Sequence, residues 1–134
     1  MRSSNNCFHL AIPCNDLDKA FEFYVIKLGC KLARRYEDRV TIDFFGDQIV
    51  CHYNPEKCWP DDVQMYPFHA GITFSSKTEF DNLVDLCRLR HIKFFVEPFE
   101  RFIDTPESHF SFFLKDPSNN LLEFKYYKDN RMMY

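Results

Sequence analysis

The chain has 134 residues, 46% of them hydrophobic and 18% aromatic, with a formal net charge of -3 and a mean hydropathy of -0.40. That length gives one domain whose core needs no staples, and the composition excludes a disordered or membrane-embedded chain. No apolar run approaches the ~20 residues that span a bilayer, and interspersed charge signs leave no electrostatic footprint for nucleic acid or an anionic membrane.

Met1-Arg2-Ser3-Ser4-Asn5-Asn6 has no apolar stretch of the kind a signal peptide needs, so a cytoplasmic protein is expected. Cys7, Cys14, Cys30, Cys51, Cys58 and Cys87 are spaced singly with no CxxC pair. They read as reduced, partly buried thiols rather than as a disulfide framework.

Residues 7–13 form the first predicted strand, with Phe8, Leu10 and Ile12 on one face and Cys7, His9, Ala11 and Pro13 on the other. Asn15 or Asp16 caps a helix in which Leu17, Phe21, Tyr24, Val25 and Leu28 keep a helical period, and Gly29 closes it. The even face of the strand is expected to pack on this helix, which turns His9 toward the other side of the sheet. Three short strands follow, over 31–36, 39–45 and 48–53, turned by Glu37-Asp38 and Gly46-Asp47. Residues 54–66, with two prolines, Trp59 and Asp61-Asp62, read as a connecting loop.

The second half repeats this order. Residues 68–74 form a strand, Ser76-Lys77-Thr78-Glu79 has the form of a capping box, and Phe80, Leu83, Val84 and Cys87 make the buried stripe of a helix. His91, among Arg88 and Arg90, reads as a solvated helix end. Predicted strands over 92–96, 109–114 and 121–127 follow, with a long loop over 97–108 and a turn at Asp116-Pro117-Ser118-Asn119-Asn120. Residues 128–134 are expected to be peripheral. The order βαβββ thus occurs twice in one α+β domain: module one over 7–54, a linker over 55–66 and module two over 67–127. Phe8-His9-Leu10-Ala11-Ile12 is echoed sixty residues later by Phe68-His69-Ala70-Gly71-Ile72, the mark of an internal duplication. Both copies set a lone His inside a short apolar strand.

Two βαβββ modules with a His on the first strand of each resemble the vicinal oxygen chelate superfamily, which includes glyoxalase I, ring-cleaving dioxygenases, fosfomycin- and bleomycin-resistance proteins and methylmalonyl-CoA epimerase. The resemblance rests on Phe8-His9-Leu10-Ala11-Ile12 with Asp16-Leu17, Phe23-Tyr24 and Leu28-Gly29, on His69-Ala70-Gly71-Ile72, and on Asp116-Pro117-Ser118-Asn119-Asn120-Leu121-Leu122-Glu123-Phe124. The last stretch is similar to the superfamily's DPxGNxxE signature. Asn119 stands where Gly is usual, and Asn is the next best residue for a left-handed turn.

The resemblance implies a curled mixed sheet around a metal, held by His9, His69 and Glu123. Parity supports this: Leu122, Phe124 and Tyr126 form an apolar face, so Glu123 lies on the other with Leu121, Lys125 and Tyr127. A carboxylate in an aromatic strand is costly unless paired or metal-bound. Alone, either His reads as a hydrogen-bonded strand residue and Glu123 as a partner of Lys125 or Arg101; their matching repeat positions favour ligation. Two His and a carboxylate suit a divalent ion with open positions for substrate, Fe(II) being favoured over Zn, Mn or Ni.

Superposing the module ends puts Val50 opposite Glu123, flanked on the same face by Gln48 and His52. Glyoxalase I-like members carry a carboxylate or amide ligand there, so Val50 favours dioxygenase-like chemistry. His109 and Ser111 are expected on the Glu123 face, His109 as an acid/base, with Tyr127 as a hydrogen-bond donor to substrate. Gln48, Val50, His52, Arg101, Ser111 and Phe113 are the candidate substrate-binding residues. The stretch from Glu97 to Glu107 resembles a loop of dioxygenase-related members in which Gly-Glu-Gln follows Arg-Phe; Glu107-Ser108-His109 stands in its place. Arg101 either holds an anionic substrate group or pairs with Glu97 or Glu100.

The expectation is a metal-dependent enzyme acting on a small substrate with vicinal oxygens, dioxygenase-like. The alternatives are a glyoxalase- or epimerase-type lyase or isomerase, and a non-catalytic drug-binding protein. The modules close on each other within one chain or swap across a homodimer.

Overall fold

The computed structural model describes residues 3–134 and contains two four-stranded sheets, one from each half of the chain. The first half contributes β1 (His9–Cys14), the helix α1 starting at Leu17, β2 (Lys31–Arg35), β3 (Arg39–Phe44) and β4 (Asp47–Tyr53), in the order β1-β4-β3-β2. The second contributes β5 (Ala70–Phe74), α2 (Lys77–Leu89), β6 (Phe94–Arg101), β7 (His109–Lys115) and β8 (Leu121–Tyr127), in the order β5-β8-β7-β6. In each sheet the first strand runs parallel to the last and the other pairings are antiparallel. This is the tandem βαβββ, α+β architecture expected from the sequence.

The registers match as well as the order. Ala11 pairs with Val50 and Ile12 with Cys51 in the first sheet; Gly71 pairs with Glu123 and Ile72 with Phe124 in the second. Val50 and Glu123 therefore occupy the same position of their modules.

The chain divides into two compact units, one running up to Val63 and taking in Asp116–Asn120, the other formed by Gln64–Lys115 and Leu121–Tyr134. In the first, Asp16 starts α1 by accepting from the N–H groups of Asp18 and Lys19, both at 3.0 Å. The helix is α-helical only over Leu17–Phe21 and widens to a π-helix over Glu22–Lys27. Phe23 and Leu28, five residues apart, are both buried, a spacing that a 3.6-residue period does not keep on one face. Tyr24 is fully buried in the same core as Val40, Ile42, Phe44, Ile49 and Cys51. Each such aliphatic or aromatic side chain contributes about 1.5–3 kcal/mol by leaving water. Phe8, expected on the packed face of β1, precedes the strand and is 58% exposed.

The Asp116–Asn120 turn locks into this first unit. Asp116 is buried; its Oδ1 accepts from the N–H groups of Ser118 and Asn120, both at 2.8 Å. Its Oδ2 accepts from the Tyr24 hydroxyl at 2.8 Å and from Asn120 Nδ2 at 2.9 Å. Asn120 Nδ2 also donates to the Pro13 carbonyl at 3.0 Å. Burial pushes the Asp116 carboxyl up, and these donors pull against it. Asn119 takes the expected left-handed conformation, φ 65°. Its amide donates to the Trp59 carbonyl at 2.9 Å and to Asp61 at 3.0 Å, two bonds for which glycine has no atoms.

In the second unit, Phe80, Leu83, Val84 and Cys87 of α2 are buried with Phe112, Leu114, Leu122 and Phe124. Phe112 stacks on Phe124 at 5.1 Å and meets the edge of Phe80 at 5.3 Å. The capping box is not formed: Ser76 is the N-cap but makes no side-chain hydrogen bond, and Lys77 instead pairs with Asp81 one turn on, at 2.8 Å. The stretch expected to be a loop from residue 97 remains strand to Arg101. Register shifts between Phe94 and Val96 and between Val96 and Phe99 let the edge strand β6 accommodate Pro98, which cannot donate to a ladder. All six cysteines are free. Among the described residues, no helix is long and apolar enough to cross a membrane.

Candidate functional site

Glu123 sits in the middle of β8, paired with Gly71 on one side and Phe113 on the other, and is only 7% exposed. A carboxylate so placed needs partners. The Ser111 hydroxyl on β7 donates to its Oε1 at 2.7 Å. Oε2 lies 3.1 Å from His69 Nε2 and 3.7 Å from Lys125 Nζ. His69, just ahead of β5, has its other ring nitrogen, Nδ1, 2.8 Å from the Met65 carbonyl. Its ring meets Phe113 edge-on at 5.5 Å and Tyr66 at 5.6 Å. His69, Gly71, Thr73, Glu123 and Lys125 line a recess of about 210 Å³.

The carbonyl fixes the histidine's tautomer. A carbonyl oxygen only accepts, so Nδ1 carries the proton and a neutral ring presents its Nε2 lone pair. That lone pair faces a carboxylate oxygen at hydrogen-bond distance. Two acceptors in this position require a positive centre between them, either a proton or a metal ion. A histidine held by a backbone carbonyl through its far nitrogen, beside a carboxylate held by a hydroxyl, is the supporting pattern of a metal-ligand pair. The donor set therefore fits a divalent ion of intermediate softness.

Among the described residues, no three His, Cys, Asp or Glu side chains form a metal-holding group. His9 lies on β1 of the other unit, exposed, with Gln48 as its register neighbour on β4. Val50 is half-buried between Ala11 and Thr41, and His52 is exposed between Pro13 and Arg39. Of the residues expected around Glu123, Ser111 and Phe113 are in place. His109 and Tyr127 pair with each other, rings 4.7 Å apart, four residues along β8 from Glu123, roughly 13 Å at strand rise. His109 is buried, with Nδ1 2.8 Å from the Glu107 carbonyl, so Nδ1 carries the proton of the neutral ring and Nε2 its lone pair. Arg101 pairs with His109 across β6 and β7. Tyr66 and the Met65 carbonyl went unmarked in the sequence, since no periodicity or motif points to a loop residue that orients a ring.

A family model described as "Glyoxalase/Bleomycin resistance protein/Dioxygenase superfamily" matches residues 7–124. The crystal structure of a glyoxalase/bleomycin resistance protein/dioxygenase from Alicyclobacillus acidocaldarius is 60% identical, with a TM-score of 0.94 and 100% of both chains covered. The glyoxalase domain-containing protein RDO1 of Mycosarcoma maydis is 25% identical over 90% of this chain and 68% of its own length. Virulence protein STM3117 of Salmonella typhimurium is 25% identical over 89% of this chain and 82% of its own.

Proposed function

The chain belongs to the glyoxalase/bleomycin resistance protein/dioxygenase superfamily, and we propose that it is a metal-dependent enzyme of dioxygenase-like type, acting on a small substrate with vicinal oxygens. The observation that carries this reading is the pair of acceptors, His69 Nε2 and Glu123 Oε2, 3.1 Å apart with the far side of each already committed. His69 and Glu123 are the two ligands the second unit supplies, and His9, carried over from the superfamily resemblance, is the candidate for the third. Fe(II) is the favoured ion, with Zn, Mn and Ni as the others this donor set accepts.

A divalent ion held there supplies Lewis acidity to two adjacent substrate oxygens, and iron adds one-electron chemistry with dioxygen. The chain's own groups do the rest. Ser111 holds the Glu123 carboxylate in one rotamer, and the Met65 carbonyl holds the His69 ring in one tautomer. Phe113 and Tyr66 flank the His69 ring edge-on. His109, its Nδ1–H donated to the Glu107 carbonyl, presents its Nε2 lone pair as the candidate acid/base, roughly 13 Å along the sheet from Glu123. The Tyr127 ring lies tilted at 47° against His109 and offers a hydroxyl on the same strand face as Glu123.

The test is oxygen uptake by Fe(II)-loaded protein supplied with vicinal diols. Uptake that disappears in His69→Ala supports the reading. Absence of uptake, with proton exchange on hydroxyketones by Zn- or Ni-loaded protein, establishes the lyase or isomerase alternative; metal-free tight binding of an aromatic drug with neither activity establishes the sequestering one. Mixing His9→Ala with Glu123→Gln protein locates the third ligand: restored metal binding in the mixture means that His9 comes from a second copy of the chain.

A further inference from the structure

We propose that Arg101 and Tyr66 form a carboxylate-recognition site, and that the substrate carries an anionic carboxylate apart from its metal-directed oxygens. The substrate assignment rests on the metal-site reading above; the anion site rests on its own geometry.

Arg101 ends β6, half-buried. Neither neighbouring acid neutralises it. Glu100 is engaged by Lys128 and by the Ser108 hydroxyl, the latter at 2.8 Å, and Glu97 makes no ion pair with Arg101. Among the described residues, the guanidinium has no carboxylate partner. What holds it is aromatic: Cζ lies 5.0 Å from the Phe102 ring centroid and 5.8 Å from that of Tyr66, and Nη1 donates to the Tyr66 hydroxyl. Phe102 takes a left-handed conformation, φ 51°, which is costly for a bulky residue and is found where surrounding structure maintains it for a purpose.

The hydrogen bond leaves a matched set of donors. Having accepted from Arg101, the Tyr66 oxygen still has its own proton to give, and the guanidinium keeps the N–H groups not spent on Tyr66. None of these has an acceptor among the described residues. A planar fork beside a hydroxyl, flanked by two rings, suits the two oxygens of a carboxylate. Lys125, on the same sheet face, is offset by Glu123 at 3.7 Å, whereas Arg101 has no carboxylate partner among the described residues. Tyr66 also meets the His69 ring at 5.6 Å, which places the anion site one aromatic ring from the acceptor pair.

The experiment is an NMR titration of metal-free, isotope-labelled protein with benzoate, with benzamide as the uncharged control. Benzoate is expected to shift resonances of Tyr66, Arg101 and Phe102 and to bind at least tenfold more weakly to Arg101→Gln. Tyr66→Phe should lose severalfold, and Arg101→Lys, which keeps charge without the fork, should fall between wild type and Arg101→Gln. Equal binding of benzamide, unchanged benzoate affinity in Arg101→Gln and Tyr66→Phe, or stronger binding of inorganic phosphate would overturn the assignment. Repeating the titration with 3,4-dihydroxybenzoate and Zn(II) separates the two readings. If zinc adds no affinity while benzoate still depends on Arg101, the metal site fails and the anion site stands; if zinc adds affinity while Arg101 is irrelevant, the reverse holds.

Discussion

Gly71 and Glu123 are paired so closely that a Cβ on residue 71 would stand 1.6 Å from the Glu123 carbonyl oxygen. The equivalent pair in the other sheet is Ala11 and Val50, where a methyl is accommodated. Gly71→Ala must therefore push β5 away from the strand that carries the acid. We expect it to cost about 3 kcal/mol or more, at the top of the range for overpacking. Gly46→Ala, with open space around it but φ +92°, should cost only about 1–2 kcal/mol from backbone strain. Urea denaturation of the two variants checks the contrast.

Among the described residues, Ser111 provides the hydroxyl that donates to Glu123 Oε1. Ser111→Ala leaves a buried carboxylate oxygen without its donor, at a cost of about 1–3 kcal/mol. The same change should weaken divalent-ion binding ~10–100-fold, as loss of a supporting group does. Calorimetric metal titration beside thermal denaturation measures both effects on one protein.

Tyr24 and Asp116 join residues 92 positions apart inside the first unit. Tyr24→Phe removes one of four donors to the carboxylate and should cost about 1–2 kcal/mol. Asp116→Asn is expected to cost more, because an amide group then confronts donors on both sides. Equal stability of the two variants would mean that the turn is held mainly by its backbone.

The thiols offer a separate check. Burial pushes Cys87 to about 11 and Cys30 to about 12, and drives Cys51 higher still. A raised thiol stays protonated at pH 8, and the thiolate is the reactive form. Iodoacetamide at pH 8 should label exposed Cys7 in the native protein and reach Cys51 and Cys87 only after denaturation, as read by mass spectrometry.

Much of this arrangement was legible in the sequence because it rests on short-range rules. Period-2 and helical patterns located the strands and the helices α1 and α2 but not the short 3-10 helices Pro55–Lys57 and Asn130–Met133, which fall in stretches read as loop and tail. The repeated Phe-His motif disclosed the repeat that the strand registers reproduce. Parity placed Ser111, Phe113 and Glu123 on one face. The π-helical turn was not legible, since Phe23 and Leu28 share a face only once the helix widens. Nor was the extension of β6, which depends on two bulges around Pro98. Tyr66 escaped notice because its role comes from meeting Arg101 and His69 in space, and nothing local to a loop residue signals such contacts. Val50 opposite Glu123 was read from the turn alignment alone, and the pairing of both strands agrees with it.

Whether His69 and Glu123 hold a metal ion is measured most directly by divalent-ion binding to wild-type protein, His69→Ala and Glu123→Gln. Wild type should bind close to one ion per chain, with a loss in each variant greater than the ~10–100-fold that a supporting group is worth. No binding by folded wild-type protein, or equal binding by all three, would contradict a metal site there and leave a protonated His69 as the positive centre facing Glu123.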